Sequence, residues 1–129
     1  MKDSIRQWFG QAKEELGMAE CLLSSDYCRG ACYHSQQAIE KAIKGVLIRE
    51  GWELERIHSI RLLTSLARRY GIMLKITEED IDFIDGIYRG RYPAEEGLLP
   101  TGIPTKEDAT RALRVAADCL QQLVSISGE

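Results

Sequence analysis

The run from Tyr33 to Leu47, YHSQQAIEKAIKGVL, constrains this chain more than any other stretch. Its apolar and small residues recur at three- and four-residue intervals nearly all the way round, so it reads as a helix with almost no face left to solvent alone. Ala31, Ser35, Ala38, Ala42 and Gly45 fall on one stripe of small residues, and Cys32, Ile39, Ile43 and Val46 on a second, larger apolar stripe. The small stripe lets a neighbouring backbone approach closely, and the larger one fills a second contact. Between them His34, Gln37, Lys41 and Lys44 form a polar ridge. A helix patterned this way sits at the centre of a bundle.

Length and charge set the frame for that bundle. At 129 residues the chain makes one domain, expected to span 1–129, and can bury roughly two thirds of its unfolded surface. A net charge of −3 argues against a general polyanion binder, although a local basic patch matters more than the total. The beginning of the chain, MKDSIRQWF, is amphipathic rather than continuously apolar, so no signal peptide or membrane span is expected and the protein is read as cytoplasmic. Cys21, Cys28, Cys32 and Cys119 form no Cys-x-x-Cys pair and are read as reduced thiols. With two histidines in the chain, no metal and no cofactor are expected.

Five helical segments follow in order. Ile5, Trp8, Phe9, Ala12, Leu16, Ala19, Leu22 and Leu23 predict an amphipathic helix over Asp3 to Ser24, with Trp8 as a core anchor. Ser25 or Asp26 is a candidate cap for the central helix, which extends to about Glu50 and is stopped by Gly51. Ser59 is placed to cap a short third helix whose buried side is Ile60, Leu63, Leu66, Ala67 and Tyr70, ending at Gly71. Thr77 to Asp80 resembles a capping box ahead of a fourth helix carrying Ile81, Ile84, Ile87 and Tyr88 on its inner face. All three prolines lie between Pro93 and Pro104, a long loop, before Thr105 to Asp108 repeats the capping pattern. The last helix, defined by Ala109, Ala112, Leu113, Ala116, Leu120, Leu123 and Val124, runs to about Ser127. The fold class is all-α: an up-and-down bundle of four main helices plus one short helix.

Gln36-Gln37-Ala38-Ile39-Glu40-Lys41-Ala42-Ile43-Lys44, the later His58, and Arg91-Tyr92-Pro93 together closely resemble the HEPN domain, named for higher eukaryotes and prokaryotes nucleotide-binding. The resemblance runs from Trp8 to the final helix. It implies a helical bundle, frequently a homodimer, that in many members works with a separately encoded small nucleotidyltransferase. Other members are metal-independent ribonucleases, often toxins. That branch carries an arginine followed after four to six residues by a histidine near the start of a late helix. Histidine moves the proton while arginine neutralises charge growing on the phosphate. Here the corresponding region, Arg89 to Gly97, contains arginines but no histidine, and Pro93 interrupts any helix through it.

Arg29 and His34 match the spacing elsewhere, but on a continuous helix five positions at about 100° each leave them roughly 140° apart. His58, just ahead of the Ser59 cap, has a structural reading, an imidazole bonded to loop backbone, beside a ligand-contact reading. No complete catalytic set emerges; the candidates are Arg29, His34, His58 and Arg91. For an anion the ridge offers more. Lys41 and Lys44 are placed to converge on one phosphate, Gln37 adds an amide donor, and Arg89, Arg91 and Tyr92 close the far side if the fourth helix packs beside the second. The opposing reading pairs these lysines with Glu40 and other carboxylates. The sequence therefore points first to a non-catalytic nucleotide- or RNA-phosphate-binding module, a homodimer or the partner of a nucleotidyltransferase in a toxin–antitoxin-like pair. The alternative is a metal-independent endoribonuclease, with a dimerisation scaffold as background. No membrane partner is expected.

Overall fold

The computed structural model describes residues 2–90 and 102–128. They form five helices: α1 (Lys2–Ser24), α2 (Cys28–Arg49), α3 (Ile60–Arg69), α4 (Glu78–Arg89) and α5 (Lys106–Ser127). The expected Arg91-Tyr92-Pro93 motif and most of the long loop, 93–101, lie outside the described residues.

Helix α2 is the axis of the domain and packs against each of the other four. From Ala38 to Leu47 every residue but Lys41 is buried, as the all-round pattern requires. The small stripe faces α1. A Cβ added at Gly45 would stand 2.7 Å from the Cβ of Trp8, so glycine is what lets the two helices meet there. Ile39, Ile43, Ile5, Phe9, Leu63, Ile84 and Leu123 then fill the centre, drawn from all five helices.

Contacts at the helix ends give the directions. Lys106 pairs with Asp26 (3.2 Å) at one end of α2 and α5, and Arg49 Nη1 donates to the Ser127 carbonyl (2.7 Å) at the other, so these two run the same way. The tight turn at 25–27 sets α1 against α2. Asp80 pairs with Arg111, which ties the first turn of α4 to α5, and Gln122 bonds the backbone of Lys75 in the segment ahead of α4. Helices α2 and α5 are therefore parallel and α1 runs against both, with α3 and α4 packed on α2 and on each other.

Local chemistry explains the boundaries. Gly51 (φ +100°) and Gly71 (φ +81°) occupy the left-handed position that ends α2 and α3. Trp52 N–H donates to the Leu47 carbonyl and Ile72 N–H to the Ala67 carbonyl, closing each helix end over a buried apolar side chain. Asp26 (φ +65°) ends α1 in the same way, with Tyr27 N–H on the Leu22 carbonyl. That corrects the expected start of α2: its N-cap is Tyr27, with no side-chain cap bond, because Asp26 is spent on terminating α1. Thr105 makes the full reciprocal box with Asp108. At Thr77 only half of the box forms, since the Asp80 carboxylate turns to Arg111.

Two burial expectations also change. Tyr70, the residue at the C-terminal cap of α3, is exposed rather than inward. Trp8 is half-buried and borders a groove instead of anchoring the core.

Candidate functional site

Two buried carboxylates organise the polar residues of α2. Glu15, projecting from α1 beside Ala12 and Ala19, is 7% exposed. It takes a hydrogen bond from His34 Nδ1 (3.0 Å) and lies 3.5 Å from Lys41 Nζ. Glu40, 5% exposed, takes hydrogen bonds from Lys44 Nζ (3.0 Å), Gln36 Nε2 (3.2 Å) and His58 Nδ1 (3.1 Å). Because a carboxylate only accepts, Nδ1 carries the hydrogen in both histidines and Nε2 is the nitrogen left for another partner.

The ridge is thus divided. Lys41 and Lys44 do not share a carboxylate: the Lys41 ammonium goes to Glu15 of α1 and the Lys44 ammonium to Glu40 of α2 itself. Lys44 is the more committed, since it and Glu40 each keep only 6% side-chain exposure. Removing either member of such a buried pair leaves an uncompensated charge, at a cost of about 3–5 kcal/mol. Gln37 turns along the helix and donates to Gln36 Oε1 (2.7 Å), which orients the Gln36 amide toward Glu40.

His58 is held from three sides. Its ring stacks on Tyr88 of α4 at 4.7 Å between centroids and 14° between planes. Its carbonyl accepts from Gln36 Nε2 (3.3 Å), and its Nδ1 reaches Glu40. The imidazole therefore bonds to a carboxylate and not to loop backbone as the sequence suggested. Immediately beyond it, Asp85 of α4 accepts the backbone N–H groups of Ile60 (2.6 Å) and Arg61 (3.2 Å) and the Ser59 hydroxyl (3.3 Å). A buried carboxylate at the positive end of α3 locks the segment that delivers His58.

Lys41, Lys44, Glu40 and His58 meet at one groove of about 320 Å³, walled by Trp8 and Gln11 of α1 and by Leu54, Glu55 and Arg56 of the α2–α3 connection. Its size is at the lower end of the range for small-ligand sites. Three cationic side chains, an imidazole and an indole line this one concavity, together with the carboxylates of Glu40 and Glu55. Trp8, Arg56 and Gln36 were missed from the sequence. Glu15 was legible in principle, as a carboxylate in register with the buried Ala12 and Ala19.

Arg29 and Arg89 are not among the residues that line this groove. Arg29 is the second residue of α2, so it shares a continuous helix with His34 and points to a different side; it borders another groove beside Tyr27 and Ile103. Arg89 is exposed, one residue past Tyr88. Arg91 and Tyr92 lie outside the described residues. Burial pushes the Cys32 and Cys119 thiols up to about 12, with nearby Asp108 and Asp118 adding to the effect. These are inert core thiols at neutral pH. Among the described residues no group of three or more His, Cys, Asp or Glu is placed to hold a metal ion, and no helix is long and apolar enough to cross a membrane.

An all-α bundle of five helices built round a polar-ridged α2, with its polar side chains gathered at one groove, is the class of protein that fold and site define. The HEPN domain model matches residues 5–125, and the chain belongs to the HEPN family. Among curated proteins it is 46% identical over 125 residues to "Putative toxin MJ1304" of Methanocaldococcus jannaschii, an alignment covering 86% of this chain and 80% of that protein. Among solved structures it is similar to ST0689, described as an archaeal HEPN homologue, with a TM-score of 0.68, 30% identity, and 95% and 96% of the two chains covered. It is also similar to TT1696 from Thermus thermophilus, with a TM-score of 0.68, 25% identity, and 94% and 96% covered.

Proposed function

We propose that this protein is a HEPN module of a toxin–antitoxin-like pair that binds a nucleotide or RNA phosphate in the groove between Trp8, Lys41, Lys44, Arg56 and His58. The single observation that carries this reading is that those side chains line one concavity. Lys41, Lys44 and Arg56 supply positive charge for the phosphate, and the half-buried Trp8 offers a face on which a base stacks. The relative named as a toxin supports the wider setting. In this reading the protein is cytoplasmic and acts as a homodimer or with a separately encoded nucleotidyltransferase. In the same reading Gln37 supports the site through Gln36, and Arg89, Arg91 and Tyr92 are further nucleotide-binding residues. Titration of the purified protein with ATP, GTP and short RNA tests the reading. Binding weakened by Lys41→Ala and by Arg56→Ala supports it, and no binding of any of the three refutes it.

The Glu40–His58 hydrogen bond favours a second reading, a metal-independent endoribonuclease. A histidine oriented through Nδ1 and set among cations has the attributes of an acid–base group. RNA cleavage in EDTA that disappears in His58→Ala is its signature, and a clean, inactive preparation excludes it.

A further inference from the structure

Glu40 is surrounded as a bound anion would be. Its Oε2 accepts from Lys44 Nζ and its Oε1 from Gln36 Nε2 and His58 Nδ1, within 3.0–3.2 Å. An ammonium, an amide and an imidazole N–H converging on two oxygens form a cradle for an oxyanion. That cradle borders the groove, for Glu40, Lys44 and His58 all line it. Its donors are not placed by chance: Gln37 fixes the Gln36 amide, Tyr88 fixes the His58 ring, and Asp85 anchors the segment bearing it.

We infer that the Gln36–Lys44–His58 cradle is a phosphate subsite occupied by the protein's own Glu40, so that Glu40 is an internal competitor that restrains ligand binding. This rests on the reading of the groove as an anion site and adds its regulation. An incoming phosphate takes the His58 and Lys44 hydrogen bonds, while Glu40 must withdraw or share them. Two negative charges a few ångströms apart in a partly desolvated groove repel strongly. The wild-type protein therefore binds anions weakly, and the strength of the Glu40 contacts sets the threshold. Glu15 stands outside this cradle: it pairs with His34 and Lys41 and is not among the residues of the groove.

Calorimetric titration with inorganic tripolyphosphate, which carries charge without a base, tests the competition. Glu40→Gln keeps the shape and an acceptor oxygen while removing the charge, and is expected to bind about tenfold more tightly than wild type, equivalent to about 1.4 kcal/mol. Adding Lys44→Met to Glu40→Gln is expected to abolish the gain. If wild type binds and Glu40→Gln binds equally or less tightly, the inference is overturned while the groove remains a binding site. If neither protein binds, both readings fall. Should Glu40→Gln not fold, the wild type still decides. With only two histidines in the chain, the ring ¹⁵N signals of His58 and His34 are separable by His34→Gln. Tripolyphosphate is expected to shift the His58 Nδ1 signal and leave His34 in place; a bound protein with an unmoved His58 signal refutes the exchange.

Discussion

Gly45 of α2 lies so close to Trp8 of α1 that a methyl group added to it would stand 2.7 Å from the Trp8 Cβ. The contact is with the root of a side chain rather than its flexible end, so the α1 backbone itself must move to relieve it. Gly45→Ala gains roughly 1 kcal/mol of helix propensity and loses about 1–3 kcal/mol to overpacking. The expected net result is a destabilisation of up to about 2 kcal/mol in urea unfolding. A neutral or stabilising outcome shows that α1 slides without cost. Because Trp8 also walls the groove, the same substitution is expected to weaken ATP binding.

Asp85 holds the start of α3 from across the bundle. Asp85→Ala leaves the Ile60 N–H buried and unpaired and removes a second acceptor from Arg61, a loss of about 2–3 kcal/mol. Hydrogen exchange reads it locally: the Ile60 and Arg61 amides lose protection while those of α1 keep theirs. Equal loss in both helices means that Asp85 is not a local anchor.

The two buried thiols make stability fall in alkali. Their pKa values, raised from 9.0 to about 12, lie above those of the unfolded chain, so the native state holds these protons more tightly. Their contribution is complete below about pH 9 and is lost as pH rises toward 12. The unfolding midpoint of the wild type is expected to drop across that window, and that of Cys32→Ala/Cys119→Ala to drop less. Parallel curves for the two proteins count against this origin. At pH 8 the exposed Cys21 is expected to alkylate well before either core thiol.

Fluorescence separates the two tryptophans. Trp52 is buried beneath the end of α2, whereas Trp8 is half-exposed at the groove. ATP or short RNA is expected to quench emission in wild type and Trp52→Phe but not in Trp8→Phe. Quenching that survives Trp8→Phe places the base elsewhere.

Removing the reciprocal cap of α5 is expected to cost more than removing the one-sided cap of α4. Thr105→Ala combined with Asp108→Ala breaks two hydrogen bonds, that of Asp108 N–H to the Thr105 hydroxyl and that of Thr105 N–H to the Asp108 carboxylate, and is expected to lose about 1–2 kcal/mol. Thr77→Ala breaks only the bond from Asp80 N–H and is expected to lose less. Thermal unfolding of the two variants gives the order, and the reverse order contradicts this account of the caps.

The five helices, their order and most of their ends were legible from residues alone. Ser59, Thr77, Thr105, Gly51 and Gly71 act on backbone groups no more than five positions away, so their effect needs nothing beyond the local chain. The burial of α2 was equally plain, because an all-round apolar pattern has no stable place except the middle of a bundle. The family resemblance in the Gln36–Lys44 run was legible too, and the match over residues 5–125 agrees with it.

What the pattern left open was the partner of each charge. Helical spacing puts Lys41 and Lys44 on one ridge, but whether they hold a ligand or a carboxylate depends on what α1 and the 51–59 segment bring beside them. Tertiary packing delivers Glu15 to Lys41 and His34, His58 to Glu40, and Asp85 to the first turn of α3, across separations of 18 to 26 residues. Periodicity determines which face a side chain occupies. Only the crossing of helices determines the charge it meets, because in a desolvated groove an ion pairs with whatever opposite charge lies within a few ångströms, however distant in the chain.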